Sequence, residues 1–273
     1  MSEKKDCCGV IGIFGHPDAV EKVYLGLYAL QHRGQESAGI ASTDGKQIKC
    51  YAHMGLVRDA LTPSKRRWLK NDIAIGHVRY STTGSSAQQN AQPIVAEYSR
   101  GQIAIAHNGN LTNAGLLRDE YEAYGSIFHT TSDTEVIIHL MAKPTHVAKP
   151  DTIAHVMSHL EGAFSLVMLT TEEMLAVRDP HGMRPLCLGK CDGAYVVASE
   201  SCALNLIGAK YEREIYPGEV LRISGRGRLQ SELFCDRSKV IPAHCIFEHI
   251  YIGRPDSIVF GEAVHSVRMK LGR

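Results

Sequence analysis

Short apolar segments of strand length come in consecutive groups along this chain, and segments of helical period come in pairs between them. Strand patterns cover Gly9 to Phe14, Ala38 to Thr43, Gln47 to His53, Ile73 to Val78, Ile103 to Ala106, Phe164 to Leu169, Met174 to Val177, Tyr195 to Ala198 and Val220 to Ile223. Helical patterns cover Ala19 to His32, Asn113 to Tyr124, Asp133 to Lys143 and Thr152 to Glu161. This is not the strict strand–helix alternation that builds a parallel doubly wound sheet, so it predicts antiparallel sheets covered by helices, an α+β fold. No internal repeat is present, and no Pro/Gly/Ser-rich linker interrupts the chain before about residue 230, which favours one main domain.

Charge excludes one class of partner. The chain of 273 residues carries 30 Lys and Arg against 29 Asp and Glu, so its formal charge of +1 supplies no field for nucleic acid or an anionic membrane surface. Lys4-Lys5-Asp6 stands where a secretory signal would be apolar, and no apolar run reaches membrane-spanning length. These features predict a cytoplasmic protein in a reducing compartment. The eight cysteines lack the paired short knuckles of a structural zinc site, so no metal site is expected from them.

Several residues are placed where chemistry is conceivable, each beside a plain structural alternative. Cys8 precedes the first apolar strand; it is either a small buried hydrophobe or a nucleophile. If residues 1–7 were removed, its own α-amine, with an ordinary pKa of about 7.7 to 8, could serve as base, and Cys7 would leave with the leader. In "GHVRYSTTG", Arg79 ends a strand and suits a carboxylate, with Thr82 adding a hydroxyl donor; a surface ion pair explains Arg79 equally well. In "IAIAHNGNL", the Asn108 side-chain amide beside the Gly109 backbone N–H is a plausible oxyanion-donor pair, although Asn-Gly is also a tight-turn signal. Ser132 and Glu135 have capping-box spacing, which puts Asp133 in a first helical turn, either complementing the helix dipole or binding an ammonium group. His32 and Arg33 end a helix, where their charge answers the terminal carbonyls.

Taken together, "CGVIGIFGH", "LQHRGQESAGI", "GHVRYSTTG", "AHNGNL" and "TSDTE" occur in an order and spacing that closely resemble the glutaminase domains of the amidophosphoribosyltransferase family, class II glutamine amidotransferases among the N-terminal-nucleophile hydrolases. "DPHGMRPL", "YVVASESCAL", "REIYPGEV" and "IYIGRPDS" extend the similarity from about Cys8 to the last residue. The resemblance implies a four-layer αββα sandwich, two antiparallel sheets between helical layers. It implies that Cys8 is the nucleophile and residues 1–7 a propeptide. By the same resemblance Asn108 and Gly109 form the oxyanion hole, Arg79 and Thr82 hold the glutamine α-carboxylate, Asp133 meets its α-ammonium, and Arg33 is a site residue near the loop that closes over glutamine. The implied product is ammonia for 5-phosphoribosylamine synthesis, the first step of de novo purine biosynthesis.

The family's chains continue into a phosphoribosyltransferase domain, expected to bind phosphoribosyl pyrophosphate and magnesium. Here residues 8–240 are expected to form the amidotransferase domain, with 241–273 the truncated start of the next. No cofactor is expected in this chain. Cys245 matches the first of four cysteine ligands of a [4Fe-4S] cluster in part of the family, and one thiolate cannot hold such a cluster. A helical pattern from Glu262 to Arg273 would have lost its packing partner and is expected to fray or to self-associate, which makes a homo-oligomer one expected state. Two function classes remain: a glutaminase, and an unprocessed, non-catalytic subunit that binds glutamine or a partner protein. A mature chain starting at Cys8 would separate them.

Overall fold

The computed structural model describes residues 8–80, 86–225 and 227–273. In chain order the elements are β1 (Gly9–Phe14), α1 (Ala19–Ala29), β2 (Ser37–Thr43), β3 (Ile48–Met54), α2 (Val57–Ala60), α3 (Pro63–Leu69), β4 (Ile73–Arg79), β5 (Ile94–Tyr98), β6 (Gly101–Leu111), α4 (Ala114–Ala123), α5 (Thr134–Ala142), α6 (Pro144–Val147), α7 (Thr152–Met157), β7 (Gly162–Thr170), β8 (Glu173–Arg178), β9 (Cys187–Cys191), β10 (Ala194–Ala198), α8 (Ser201–Leu206), β11 (Lys210–Glu214), β12 (Glu219–Ser224), β13 (Arg228–Leu233), β14 (Ile258–Val259), β15 (Glu262–Ala263) and α9 (Val264–Leu271). The two large sheets are seven-stranded, in the order β11-β9-β10-β1-β4-β2-β3, and six-stranded, in the order β13-β12-β8-β7-β6-β5. Pairing is antiparallel throughout both.

Side-chain alternation then stacks four layers. Along β1, Ile11 and Ile13 face α1 and α8, while Val10 and Phe14 face the other sheet. Along β6, Ala104 and Ala106 meet that same middle core, and Ile103 and Ile105 face α4, α5 and α7. Three apolar cores therefore separate helices, sheet, sheet and helices, the αββα sandwich expected. Because each central strand is buried on both faces, it reads in sequence as an unbroken apolar run. Each large side chain so buried contributes roughly 1.5 to 3 kcal/mol.

Gly12 sets how closely the sheets approach. A Cβ there would lie 2.6 Å from Met174 Sδ and 2.8 Å from Val167 Cγ1 of the facing sheet. Only a residue without a side chain leaves β1 seated against β7 and β8.

Several boundaries differ from the sequence reading. The first helix stops at Ala29, and Gln31–Arg33 forms a separate 3-10 turn. Strands β5, β9, β11 and β13 carried no clear signal, and β13 is an exposed edge whose residues all face solvent. The segment after residue 240 packs into the same body. Glu262 and Ala263 form β15 rather than helix, and α9 is pinned where Arg268 donates from Nε to His249 O (2.7 Å) and from Nη2 to Gly253 O (2.7 Å). The expectation of a helix without packing partners is corrected: its buried Val264 and Arg268 tie it down.

Gly12→Ala should lose about 1 to 3 kcal/mol, the usual cost of overpacking a filled core. Gly115→Ala in α4, where a Cβ meets nothing within 4 Å, should be neutral or slightly stabilising. Urea unfolding of both variants checks this, and equal losses would remove the sheet-spacing argument.

Candidate active site

The head of β1 lies beside the end of β4 and faces β6 across the sandwich. Gly9 pairs with Val78, so Cys8 and Arg79 are brought to the same edge of the sheet. His77 bridges the sheets, donating from Nε2 to His107 O at 2.9 Å. Burial pushes His77 down to about 3, so it is a neutral donor across the working range.

Cys8 is buried. Its thiol donates to Tyr80 O at 3.4 Å and its backbone N–H to Asn108 Oδ1 at 3.4 Å. Burial raises the thiol to about 11, against the pull of the Arg79 and Arg33 charges, and Asp133 adds to the rise. A thiol held there is almost wholly protonated near neutrality and requires a base to become nucleophilic.

Asn108 and Gly109 are not in a turn. β6 runs through them to Leu111, paired residue by residue with β7, so the turn reading of Asn-Gly is corrected: pairing across the sheet overrides the local turn preference. Asn108 Oδ1 accepts from the Cys8 N–H, which orients the amide and leaves Nδ2 as its other end. That Nδ2 is buried without a hydrogen-bond partner among the described residues, an arrangement that costs stability unless something else uses the donor. At Gly109 a Cβ would lie 2.0 Å from Ala163 O, so a side chain is excluded beside the orphaned amide.

Asp133 is delivered by the start of α5. Its Oδ2 accepts from Leu111 N at 2.9 Å and its Oδ1 lies 3.5 Å from His107 Nδ1. Burial alone would raise this carboxyl, but His107 and the Leu111 and Thr134 N–H groups outweigh it and hold it below its ordinary value. It is therefore a buried anion. Gln92 and Thr134 complete the support: Gln92 Oε1 accepts from His107 N (2.8 Å), while Gln92 Nε2 and His107 Nδ1 both reach Thr134 Oγ1 (3.1 Å each). The expected capping box does not form. Asp133 occupies the N-cap, and the Glu135 carboxylate instead accepts from the backbone of His129 and Thr130, where two N–H groups outcompete one.

Arg33 is placed differently from a substrate-facing residue. Its guanidinium is fully buried, Nε donates to Cys8 O at 2.8 Å, Nη1 to Glu200 at 2.6 Å, and Nη1 and Nη2 to Glu248 at 2.9 and 2.8 Å. Burial opposes this charge, yet Glu248 and Glu200 raise its pKa further, so it stays ionised. Neither carboxylate was singled out in sequence. A glutamate inside apolar "CIFEHIYI" was the available signal, since an unpaired charge in such a run would be costly. Arg79 is also buried, with Nη1 3.6 Å from Glu36 Oε2. Thr82 and Cys7 lie outside the described residues. Cys245 is half-buried, and among the described residues it belongs to no group of three metal-ligating side chains.

Residues 77–206 match the glutamine amidotransferase domain family. Over 267 residues the chain is 49% identical to the chloroplastic amidophosphoribosyltransferase of Glycine max, covering 97% of this chain and 46% of that one. Over 267 residues it is 44% identical to the amidophosphoribosyltransferase of Bacillus subtilis (strain 168), covering 97% and 56%. A solved structure of glutamine phosphoribosylpyrophosphate amidotransferase from B. subtilis, complexed with ADP and GMP, superposes with a TM-score of 0.91 at 44% identity, over 97% of this chain and 57% of that one. The chain belongs to the amidophosphoribosyltransferase family. It comprises the family's glutamine amidotransferase domain and spans about half the length of the curated relatives it matches. Among the described residues no helix is long and apolar enough to cross a membrane.

The buried charges of this amidotransferase domain predict a pH signature. Burial would raise Glu200, but Arg33, His32 and the Arg254 N–H hold it well below the ordinary carboxylate range. A depressed folded pKa stabilises fully above the unfolded value of about 4.3 and loses that stabilisation as pH falls towards the folded one. Glu200→Gln should therefore cost about 3 to 5 kcal/mol at pH 7, with the gap to the parent narrowing at pH 3. Urea unfolding at both pH values measures it, and a gap that widens in acid would contradict the assignment.

Proposed function

We propose that this chain is a glutaminase that frees ammonia from glutamine through a Cys8 thioester. The observation that carries the proposal is the Asn108 side chain, whose Oδ1 accepts from the Cys8 N–H while its buried Nδ2 has no partner among the described residues. Removal of residues 1–7 turns the Cys8 N–H into a free amine, which takes the thiol proton. Sγ then attacks the glutamine side-chain carbonyl carbon, and Asn108 Nδ2 and Gly109 N–H receive the oxyanion. Each such donor is worth about 3 kcal/mol in the transition state. The protonated amine gives its proton to the departing ammonia, and water hydrolyses the thioester to glutamate.

Arg79 and Thr82 bind the glutamine α-carboxylate, and Asp133, kept anionic inside the fold, binds the α-ammonium. Arg33 acts on Cys8 by holding its carbonyl. Within a longer chain the ammonia serves 5-phosphoribosylamine synthesis at a phosphoribosyltransferase domain that uses phosphoribosyl pyrophosphate and magnesium, and Cys245 contributes there to an iron–sulfur cluster if the remaining ligands follow. A reducing cytoplasm suits these free thiols.

Glutamate release by Cys7→Ala and Cys8→Ala chains, together with intact mass, tests the nucleophile. The parent and Cys7→Ala should be active with a mature mass beginning at Cys8, and Cys8→Ala should be inactive. Activity in the Cys8→Ala chain, or in a chain that keeps its leader, would refute the mechanism.

Asp133→Asn should raise the Michaelis constant for glutamine by roughly tenfold or more, the effect of losing a charge-assisted hydrogen bond of about 1.5 to 3 kcal/mol. A large fall in turnover with an unchanged constant would give Asp133 another role. Phosphoribosyl pyrophosphate with magnesium should leave the rate of these 273 residues unaltered and yield no phosphoribosylamine.

A further inference from the structure

Away from Cys8, on the outer layer over the six-stranded sheet, three imidazoles converge. His146 lies in α6, His155 in α7 and His159 just beyond its end. Their ring centroids are 4.8 Å (146 to 155), 5.0 Å (146 to 159) and 4.6 Å (155 to 159) apart, and one ligand nitrogen from each lies within 4.8 Å of the others. His155 and His159 are four residues apart, so they project from one side of a helical turn.

Their outer hydrogen bonds are those of orienting contacts. His146 Nδ1–H donates to Leu140 O at 3.0 Å and His159 Nδ1–H donates to His155 O at 2.8 Å, which leaves both Nε2 lone pairs for another partner. Carbonyl acceptors of this kind fix the tautomer that a metal requires.

We propose that His146, His155 and His159 form a binding site for one zinc-class divalent transition ion, with a fourth, solvent-facing coordination position. A tetrahedral ion with bonds of about 2.0 to 2.1 Å needs nitrogens about 3.4 Å apart, so the rings must close by roughly 1 Å or a little more. The exposed His159 and half-exposed His155 have room for that motion, while buried His146 stays fixed. The chemistry excludes magnesium and calcium, which require oxygen ligands, and the nearby Lys143 and Lys149 disfavour any ion that imidazole does not bind strongly. Bound metal would fasten α6 to α7, a junction also held by Thr152 Oγ1 donating to His146 O at 3.3 Å and to Val147 O at 3.5 Å. It would stabilise the fold and take no part in glutamine chemistry.

The test uses the untagged, chelator-stripped chain titrated with cobalt(II), read by visible d–d absorption, and with zinc, read by calorimetry and thermal unfolding. One equivalent should bind with tetrahedral cobalt bands, and zinc should raise the melting temperature. His155→Ala and His159→Ala, both at positions open enough to substitute without disturbing the core, should each weaken binding at least tenfold and abolish the thermal shift. Glutamate release should be unchanged in both variants. Absence of stoichiometric uptake would overturn the proposal, as would uptake that survives both substitutions together. Uptake lost instead with Cys8→Ala, or with Cys191→Ser in the separate His16, Cys191 and Asp192 group, would also overturn it.

Discussion

The arrangement at Cys8 depends on one buried cation. Arg33 has no exposure to solvent, and an unpaired guanidinium in that position would be untenable; Glu200 and Glu248 make it tolerable, and His32, Arg184, Ser257 and the Arg254 N–H in turn satisfy the two carboxylates. Another of its donors, Nε, reaches Cys8 O. Segments far apart in sequence thereby meet at the carbonyl of a single residue, and the position of Cys8 is fixed by electrostatics as much as by the β1 ladder.

The other side of Cys8 is organised by a network of polar side chains. His77 ties β4 to β6, and Gln92 and Thr134 hold His107 between them. His107 keeps Asp133 anionic, and Asn108 next to it holds the Cys8 N–H. The site is thus supported by rigid strand positions and a helix start. Such positions carry more precise geometry than loops, at the cost of burying polar atoms that must all be answered. Asn108 Nδ2, His77 Nδ1 and His107 Nε2, among these, have no partner among the described residues.

Much of this was legible in sequence. The layered α+β architecture followed from grouped strand patterns, because strands buried on both faces cannot hide their apolar character. Cys8, Arg79, Asn108, Gly109 and Asp133 stood out at the ends or heads of such patterns. What was not legible depended on partners distant along the chain. The Asn-Gly pair reads as a turn until β7 is laid beside it, and Glu135 reads as a capping residue until the His129 and Thr130 amides are seen to claim it. Arg33 looked like a helix-end charge because nothing local reveals Glu248, 215 residues away. The histidine cluster was equally invisible: His155 and His159 have a suggestive spacing, but His146 joins them only through the turn between α6 and α7.

Glu248 lies beyond residue 240, where the resemblance led to the expectation of a domain border, yet its carboxylate completes the charge balance behind Cys8. The stretch of chain that neutralises Arg33 is therefore longer than the sandwich. A gene fusion that grafted only the two sheets and their helices onto a new acceptor domain would inherit a buried guanidinium with half its counter-charge missing. Successful transplantation would have to carry the stretch through Ser257 along, or supply an anion of its own at the same depth.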